Sequence, residues 1–411
     1  MGIGANGLIS AVGRNVVGAR RHDVGDAVIL PAATDLHVHF RDPGPEPDVE
    51  SIATGTIAAA LGGIGLVGEM PNTDPPVIDL DRLDEKEARV RGRAAVDVLL
   101  FALPTEVRSV RALARRAGGF KLFLSPTTGV GDGPSDEQLA QLLTEIARHD
   151  LPLSAHAEDP RRFVTEPPAQ DPPGWDRTRP VAAEAAAVRE LLGGPARLRL
   201  HVAHATSPGV IAAVRDRGVS CEVTPHHLLL SSASGRDARF KVNPPLRDEA
   251  TRAALWSEFA AGRVPVLASD HAPHSLEGKS RRFDLAPSGV PGVQTGLPLL
   301  LARVAVGELA LDVLIRAACD RPARLLGQPL GRLSPGHRAD LLVVDFRRRE
   351  RLRAERLRSP CGWSPFEGFE AVFPLEHWRE GERIVDGGEY VGRPSGRVVR
   401  PEYARPGVAP D

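Results

Sequence analysis

Short apolar runs alternate along the chain with longer amphipathic stretches rich in Ala, Leu and Arg. The runs predict strands at Ala27–Leu30 continuing into Leu36–Phe40, and at Ile64–Met70, Val96–Ala102, Phe120–Leu124, Leu151–His156, Leu198–His204, Val219–Thr224 and Val264–Asp270. The stretches between them predict helices at Ile52–Leu61, Asp81–Arg93, Glu106–Ala117, Asp136–His149, Val181–Leu192, Pro208–Arg217 and Glu249–Ala261. Strands that alternate with helices are typical of a (β/α)8 TIM barrel. An open doubly wound sheet is the competing interpretation, but no glycine-rich fingerprint follows the first strand.

Both ends of the chain have a different pattern. Residues 1–30 and the region from about 330 to 400 resemble strands. We expect Ala339–Phe346 and Glu382–Tyr390 to pair with the N-terminal strand in a small sheet or sandwich. The predicted organisation is a β-rich domain of residues 1–30 plus 331–411 and a barrel of residues 31–330.

Composition excludes several classes of protein. The 52 Lys+Arg and 53 Asp+Glu give a formal net charge of −1, which argues against a nucleic-acid binder. No apolar run of about 18 residues exists, and the first residues lack the features of a signal peptide, so we expect no membrane contact and a cytoplasmic location. The 3 cysteines do not predict a disulfide framework.

The predicted strand ends carry residues that bind metals. The active site of such a barrel lies at the C-terminal ends of its strands. His37 and His39 end the first strand, and their spacing of two places both on one side. The same end of later strands carries Lys121, His156, His204 and Asp270. An isolated histidine is usually a core residue, but four histidines and an aspartate at strand ends predict a metal site.

Lys121 is unusual among these residues, because an ammonium group repels a metal ion. Only Lys86, Lys121, Lys241 and Lys279 are lysines, so a lysine in this chain is more often needed as an amine. A neutral amine can react with CO2 to form a carbamate, whose two oxygens can bridge two cations. The simpler interpretation is a lysine paired with a carboxylate or with an anionic substrate.

The chain resembles the amidohydrolase superfamily and, within it, the dihydroorotases with a lysine metal bridge. The resemblance covers nearly the whole chain and rests on motifs in order at barrel spacing. These motifs are DLHVHFRDPG (35–44), MPNTDP (70–75), FKLFL (120–124), HAED (156–159), HATS (204–207), EVTPHHL (222–228), KVNPPLR (241–247), SDHAPH (269–274), GVPGVQTG (289–296) and WSPFEG (363–368).

The resemblance implies a binuclear zinc site. His37, His39 and Asp270 would hold the more buried ion, and His156 and His204 the other. Two Zn²⁺ per chain would be bridged by carboxylated Lys121 and a hydroxide. Asp270 would also be the catalytic residue that transfers the proton.

The resemblance also implies which residues hold the substrate. Arg41, Asn72 and His274 would bind its α-carboxylate, and Asn243 would contact the ring amide. The alternatives are a salt bridge from Arg41 to Asp42 or Asp48, a turn role for Asn72 and loop capping by Asn243. A lid formed by Thr127 and Thr128 is a further hypothesis.

The remaining histidines are not assigned to the site. His201 and His271 are expected to point elsewhere, and His226 and His227 to support the ligands. We expect four histidines at the surface, namely His22, His149, His337 and His377.

The reaction implied is the reversible cyclisation of N-carbamoyl-L-aspartate to L-dihydroorotate, a step of de novo pyrimidine synthesis. One alternative is an allantoinase or hydantoinase, which shares the metal cage but lacks the substrate α-carboxylate. The other is a non-catalytic structural partner of aspartate transcarbamoylase, which would typically lose metal ligands. The resemblance also suggests a homodimer and leaves association with aspartate transcarbamoylase open.

Overall fold

The structure is a computed structural model that describes residues 1–401. Its strands are β1 Gly2–Ile3, β2 Ile9–Ala11, β3 Val28–Pro31, β4 Ala33–Val38, β5 Ile64–Glu69, β6 Asp97–Ala102, β7 Gly119–Phe123, β8 Leu153–His156, β9 Leu200–Val202, β10 Ser220–Val223, β11 Val266–Leu267, β12 Leu341–Val344, β13 Glu350–Arg351, β14 Glu370–Ala371, β15 Glu376–Arg379, β16 Glu382–Asp386, β17 Glu389–Tyr390 and β18 Val398–Val399.

Thirteen α-helices lie among these strands. They are α1 Ile52–Leu61, α2 Leu80–Val90, α3 Val107–Leu113, α4 Asp136–Ile146, α5 Pro172–Thr178, α6 Val181–Leu192, α7 Pro208–Asp216, α8 Pro225–Leu229, α9 Glu249–Ala260, α10 Leu276–Lys279, α11 Gly296–Ala305, α12 Leu311–Ile315 and α13 Arg321–Leu325. Short 3-10 segments cover Pro160–Arg162, Ala238–Phe240 and Ala354–Arg356, and a π-helical turn, Arg316–Asp320, joins α12 to α13. No helix within residues 1–401 is long and apolar enough to cross a bilayer.

Strands β4 to β11 form the predicted barrel. They lie side by side in chain order, and every adjacent pair is parallel. A parallel bridge between Val38 and His271 closes the ring, and the His39 N–H donates to the His271 carbonyl at 2.7 Å. The (β/α)8 prediction is therefore confirmed.

Side chains alternate between the two faces of each barrel strand. On β6, Val98 and Leu100 pack in the large core beneath the helices, whereas Leu99 and Phe101 belong to a separate apolar cluster. That second cluster also contains Leu326, which follows α13, so it lies in the lower part of the barrel interior. Inward-facing polar residues nearer the C-terminal ends of the strands lie above this apolar cluster.

The terminal segments form a small antiparallel sheet as predicted, but within it Glu382–Tyr390 pairs with β15 and not directly with the N-terminal strand. Its strand order is β17-β16-β15-β12-β3, and β12 pairs with β3 and with β15. The division into residues 1–30 plus 331–411 and 31–330 remains a prediction, and residues 402–411 lie outside the described part.

His377, on β15, corrects one expectation. It is fully buried, and its Nδ1 donates to the carbonyl of Ala60, the last residue but one of α1, at 2.8 Å. The residue therefore ties the small sheet to the barrel helices. Its apolar neighbours in three dimensions come from distant parts of the chain, which is why the local sequence did not indicate burial.

A buried ion cluster makes a second connection between barrel and sheet. Asp97, which begins β6, accepts from Arg338 at 2.5 Å and from Arg379 at 2.6 Å. Asp97 also accepts the backbone N–H of Arg397 at 2.8 Å. Burial acts to raise the pKa of Asp97, but the charges of Arg338 and Arg379 lower it below its usual value.

Candidate metal and substrate site

His37, His39 and Asp270 come together at the C-terminal mouth of the barrel. The two Nε2 atoms lie 3.2 Å apart, and the Asp270 carboxylate lies 3.4 Å from His37 Nε2 and 3.2 Å from His39 Nε2. All three residues are buried, and their ligand atoms lie within 4.8 Å of one another. One nitrogen from each histidine and one carboxylate oxygen form a donor set that suits a divalent metal.

Hydrogen bonds on the far side of each ring fix which nitrogen faces the centre. His37 Nδ1 contacts Glu222 at 2.5 Å, and His39 Nδ1 contacts the Asn72 side-chain oxygen at 2.7 Å. Since both acceptors require a proton on Nδ1, the two Nε2 atoms carry lone pairs that face each other. Two lone pairs at 3.2 Å repel unless a cation lies between them. The geometry therefore fits a metal ion.

Burial keeps these imidazoles neutral, as metal ligands must be. Burial, together with the positive charge of Lys121, lowers the pKa of His37 to about 4. Burial and the charge of Arg41 lower the pKa of His39 well below its usual value. Both rings are consequently uncharged at neutral pH and can donate to a metal.

His156 and His204 form a second pair beside the first. His156 Nδ1 lies 3.0 Å from His204 Nε2, and the His37 and His204 ring centres are 5.4 Å apart. His156 Nε2 donates to Glu158 at 2.8 Å, which leaves its Nδ1 as a lone-pair donor. His204 Nδ1 is buried without a hydrogen-bond partner among the described residues. This second pair is also a set of imidazole nitrogens able to hold a cation.

Lys121 differs from the other lysines in its partners. All four lysines are buried. Lys86 donates to the Met70 carbonyl and to Glu69, Lys241 to three backbone carbonyls, and Lys279 to two. By contrast, within residues 1–401 the Lys121 Nζ has as hydrogen-bond partners only the Nε2 of His37 at 3.2 Å and the hydroxyl of Ser154 at 3.4 Å. Its donors are poorly satisfied by the residues around it.

The environment of Lys121 also makes its ammonium group easier to deprotonate than that of an exposed lysine. Burial lowers the pKa of Lys121 to about 8, although Glu222 and Asp270 oppose the shift. A buried amine without a carboxylate at salt-bridge distance does not match the simpler interpretation of a structural ion pair.

Arg41 lies at the edge of the same centre with most of its hydrogen-bonding capacity unused. Its Nη2 lies 3.3 Å from His274 Nε2, and its Nε is buried without a partner among the described residues. The nearby Asp42 instead accepts from Arg89 at 2.8 Å. The alternative of an Arg41–Asp42 salt bridge is therefore not supported by the geometry.

The other predicted substrate residues surround Arg41 but have partners already. Asn72 supports His39 and donates to the Thr128 carbonyl at 3.2 Å. Asn243 donates to the Thr127 hydroxyl at 3.0 Å and accepts from the Trp175 indole at 3.0 Å. His274 donates from Nε2 to the Ser288 carbonyl at 2.9 Å.

Thr127 and Thr128 close the space above the metal ligands. The Thr128 hydroxyl contacts both the carbonyl and the N–H of Ser288 at 3.1 Å. The cavity enclosed between this loop and the histidines has a volume of about 30 Å³, enough for one or two water molecules. A ring-sized substrate therefore requires the loop to move.

Backbone strain is concentrated in this site. Four non-glycine residues among those described have positive φ angles, and three of them are Arg41 (54°), His204 (37°) and Asp270 (46°). Such conformations persist where the surrounding structure holds them, and they are frequent at functional sites. The turn at Asp270 also explains why β11 covers only Val266–Leu267, shorter than the predicted Val264–Asp270.

Three supporting residues were not singled out from the sequence. Glu222 bridges His37 and His201, the latter at 2.9 Å. Glu158 accepts a hydrogen bond from His156 Nε2 and forms an ion pair with Arg179 at 2.6 Å. Burial acts to raise the pKa of Glu158, but the Arg179 charge lowers it to about 2. The available signal was the placement of both glutamates within quoted motifs, on strand ends that also carry ligands.

The other histidines lie away from the centre of the site. His201 lies below it, and His271 points outward to Glu50 at 3.3 Å. His227 contacts the Thr224 hydroxyl and the Pro244 carbonyl.

The comparisons with known proteins concern the family and the fold. A family model described as the amidohydrolase family matches residues 28–371. A curated dihydroorotase of Halobacterium salinarum is 37% identical over 95% of this chain and 94% of its own. A dihydroorotase of Thermoplasma volcanium is 34% identical over 97% of this chain and 93% of its own.

Solved structures agree on the fold. An L-hydantoinase (dihydropyrimidinase) from Arthrobacter aurescens superposes with a TM-score of 0.88 at 27% identity, over 96% of this chain and 94% of that one. A dihydropyrimidinase from Brevibacillus agri superposes with a TM-score of 0.86 at 23% identity, over 98% of this chain and 95% of that one. The second likeness concerns the fold alone.

Proposed function

The chain belongs to the amidohydrolase family, and we propose that it acts as a dihydroorotase, interconverting N-carbamoyl-L-aspartate and L-dihydroorotate. The observation that carries this proposal is the incompletely paired guanidinium of Arg41 beside the histidine and aspartate cluster. Dihydroorotate retains a carboxylate next to its cyclic amide, and arginine is the side chain best suited to hold a carboxylate in a fork. The similarity to curated dihydroorotases over most of the chain supports the same substrate.

We propose two Zn²⁺ ions at this site, bridged by carboxylated Lys121 and a hydroxide. His37, His39 and Asp270 are the proposed ligands of one ion, and His156 and His204 those of the other. The two facing pairs of imidazole nitrogens and the unsatisfied amine of Lys121 support this arrangement. When bound, such ions supply a nucleophile at neutral pH and polarise the amide carbonyl.

The residues of the chain then carry the remaining steps. The Asp270 carboxylate takes the proton of the attacking nucleophile and delivers it to the leaving amide nitrogen, as a general base and then a general acid. Burial raises the pKa of Asp270, which makes it a better proton acceptor than an exposed aspartate.

We further propose that Arg41, Asn72 and His274 bind the substrate carboxylate and that Asn243 contacts the ring amide. Asn72 and Asn243 hold the Thr127–Thr128 loop in this closed form, so substrate would replace those contacts. Opening and closing of the loop would then control access and exclude water from the reaction.

A homodimer, association with aspartate transcarbamoylase and a cytoplasmic location remain proposals that rest on the resemblance. A hydantoinase-type activity is the second candidate, because hydantoinases are among the solved structures with the same fold. Their substrates lack the carboxylate that Arg41 would bind.

The direct test is hydrolysis by the zinc-loaded protein. L-dihydroorotate, hydantoin and allantoin are compared at equal concentrations, with loss of each substrate followed over time. Turnover of dihydroorotate alone is the expected result. Turnover of hydantoin or allantoin with none of dihydroorotate would overturn the proposal in favour of the second candidate.

A further inference from the structure

A larger cavity opens at the opposite end of the barrel from the metal ligands. Its volume is about 330 Å³, compared with about 30 Å³ for the closed space above the ligands. Exposed residues at its mouth are Ala196, Arg197 and Gly218. The interior of such a barrel is ordinarily filled by layers of side chains, so an opening here is an unusual feature.

The cavity extends inward to a row of polar side chains on four neighbouring strands. The strand register pairs Lys121 with Ser154, Ser154 with His201, and His201 with Ser220. Ser154, His201 and Ser220 all line the cavity. Lys121 is the next member of the row, and its Nζ lies 3.4 Å from the Ser154 hydroxyl. Ser154 therefore lines the cavity and also contacts the amine.

Access to the same amine from above runs past the proposed metal ligands. The space under the Thr127–Thr128 loop is lined by His37, His156 and His204, and Lys121 lies behind His37, with its Nζ 3.2 Å from His37 Nε2. The Lys121 side chain is fully buried. A small molecule that arrives from the substrate side would have to pass between the metal-binding imidazoles.

The walls of the lower cavity suit a small uncharged molecule. Leu36, Phe101 and Leu200 are among its lining residues, together with Arg197 at the mouth and Arg199, which is paired with Asp150 at 3.0 Å. The inner polar group His201 is already hydrogen-bonded, to Ser220 at 3.0 Å and to Glu222 at 2.9 Å. CO2 is uncharged and needs no hydrogen-bond donor along this route.

We propose that this lower cavity is the route by which CO2 reaches Lys121. The inference rests on the proposed carboxylation of that lysine. The lone pair of the neutral amine forms a bond to the carbon of CO2, one π pair moves to oxygen, and the proton lost from nitrogen passes to solvent water. The step needs no oxidant or reductant and yields a carbamate anion.

A reversible plug at the mouth tests the route. The three native cysteines, Cys221, Cys319 and Cys361, are buried, so a thiol introduced as Ala196→Cys reacts selectively with a bulky aromatic methanethiosulfonate. Ala213→Cys is the matched control, because Ala213 is exposed on α7 and does not line the cavity. Val219→Cys, at a residue that also lines the cavity, gives a second plugging position.

The full-length protein is freed of metal and CO2, mixed with ¹³CO2, and then supplied with zinc. The carbamate signal is followed by ¹³C NMR as a function of mixing time. Labelled Ala196→Cys should lose most of its early ¹³C uptake and recover it when dithiothreitol removes the plug, while labelled Ala213→Cys should match its unlabelled form.

Equal uptake by plugged and unplugged Ala196→Cys and Val219→Cys would overturn the route while leaving the proposed function intact. Absence of any carbamate signal in the unmodified protein would overturn the carboxylation itself, and the route with it.

Discussion

Glu222 holds the imidazole of the first proposed metal ligand, and its replacement by glutamine gives a sharp prediction. The carboxylate accepts from His37 Nδ1 at 2.5 Å and from His201 Nε2 at 2.9 Å, and it is fully buried. An amide has one oxygen, so in Glu222→Gln one of the two rings must face an NH2 group. His37 then loses either its orientation or the proton position that leaves Nε2 free.

Loss of such a supporting carboxylate typically costs about 10- to 100-fold in metal affinity. This corresponds to about 1.4 to 2.8 kcal/mol in the free energy of zinc binding. The expected loss concerns the ion that His37 holds with His39 and Asp270. Zinc affinity is measured by competition with a chromophoric chelator, and circular dichroism checks that the variant is folded.

Glu158→Gln is the matched control, because Glu158 supports His156 in the same way. Both variants are made in a His204→Ala background, which removes a ligand of the second proposed ion. There Glu222→Gln should still weaken zinc binding, whereas Glu158→Gln should have little effect. Equal effects of the two variants in that background, or wild-type affinity in Glu222→Gln, would refute the reasoning.

Three further predictions concern substrate binding, proton transfer and stability. Arg41→Met should raise KM for dihydroorotate by about 10- to 100-fold, since a hydrogen bond to a charged group contributes about 1.5 to 3 kcal/mol. Bound zinc, measured in the same sample, should stay unchanged. An unaltered KM would contradict the assigned contact. Asp270→Ala should lower kcat at least about 100-fold, because it removes a ligand and the proton carrier; near-normal kcat with zinc bound would contradict its role. Asp97→Asn should cost about 3 to 5 kcal/mol of stability, because it leaves Arg338 and Arg379 buried without their carboxylate. The pKa of Asp97 is lowered on folding, so this stabilisation is present above its unfolded pKa and is lost as pH falls through the folded value. The difference in Tm between Asp97→Asn and wild type should thus shrink below about pH 4, and a difference that grows there would refute the assignment.

The barrel could be predicted because short apolar strands alternate with amphipathic helices along the chain, and the boundaries between them are clear in the sequence. The predicted Phe120–Leu124 corresponds to Gly119–Phe123 in the structure, and the predicted helix Val181–Leu192 has the same bounds. The ends of strands and helices were predicted less well where contacts with distant residues determine them. The last barrel strand stops early because the chain turns at Asp270, with a φ of 46° that no local pattern indicated.

The candidate site could be predicted as far as its residues lie at strand ends. The residues that support the ligands could not, because Glu158 and Arg179 are separated by 20 residues, including α5, and meet only in the fold. The rarity of lysine indicates buried positions in this chain, and not a reactive amine as the sequence suggested. All four lysines are buried, and three of them donate to backbone carbonyls, so scarcity alone does not identify a reactive amine. The poor hydrogen bonding of Lys121 is what distinguishes it from the other three.

The most direct test of the account is turnover of L-dihydroorotate by the purified, zinc-loaded protein, followed by loss of its absorbance, with hydantoin and allantoin in parallel. The account predicts hydrolysis of dihydroorotate and none of the other two, together with two zinc ions per chain. Two bound zinc ions without any turnover of dihydroorotate would contradict it.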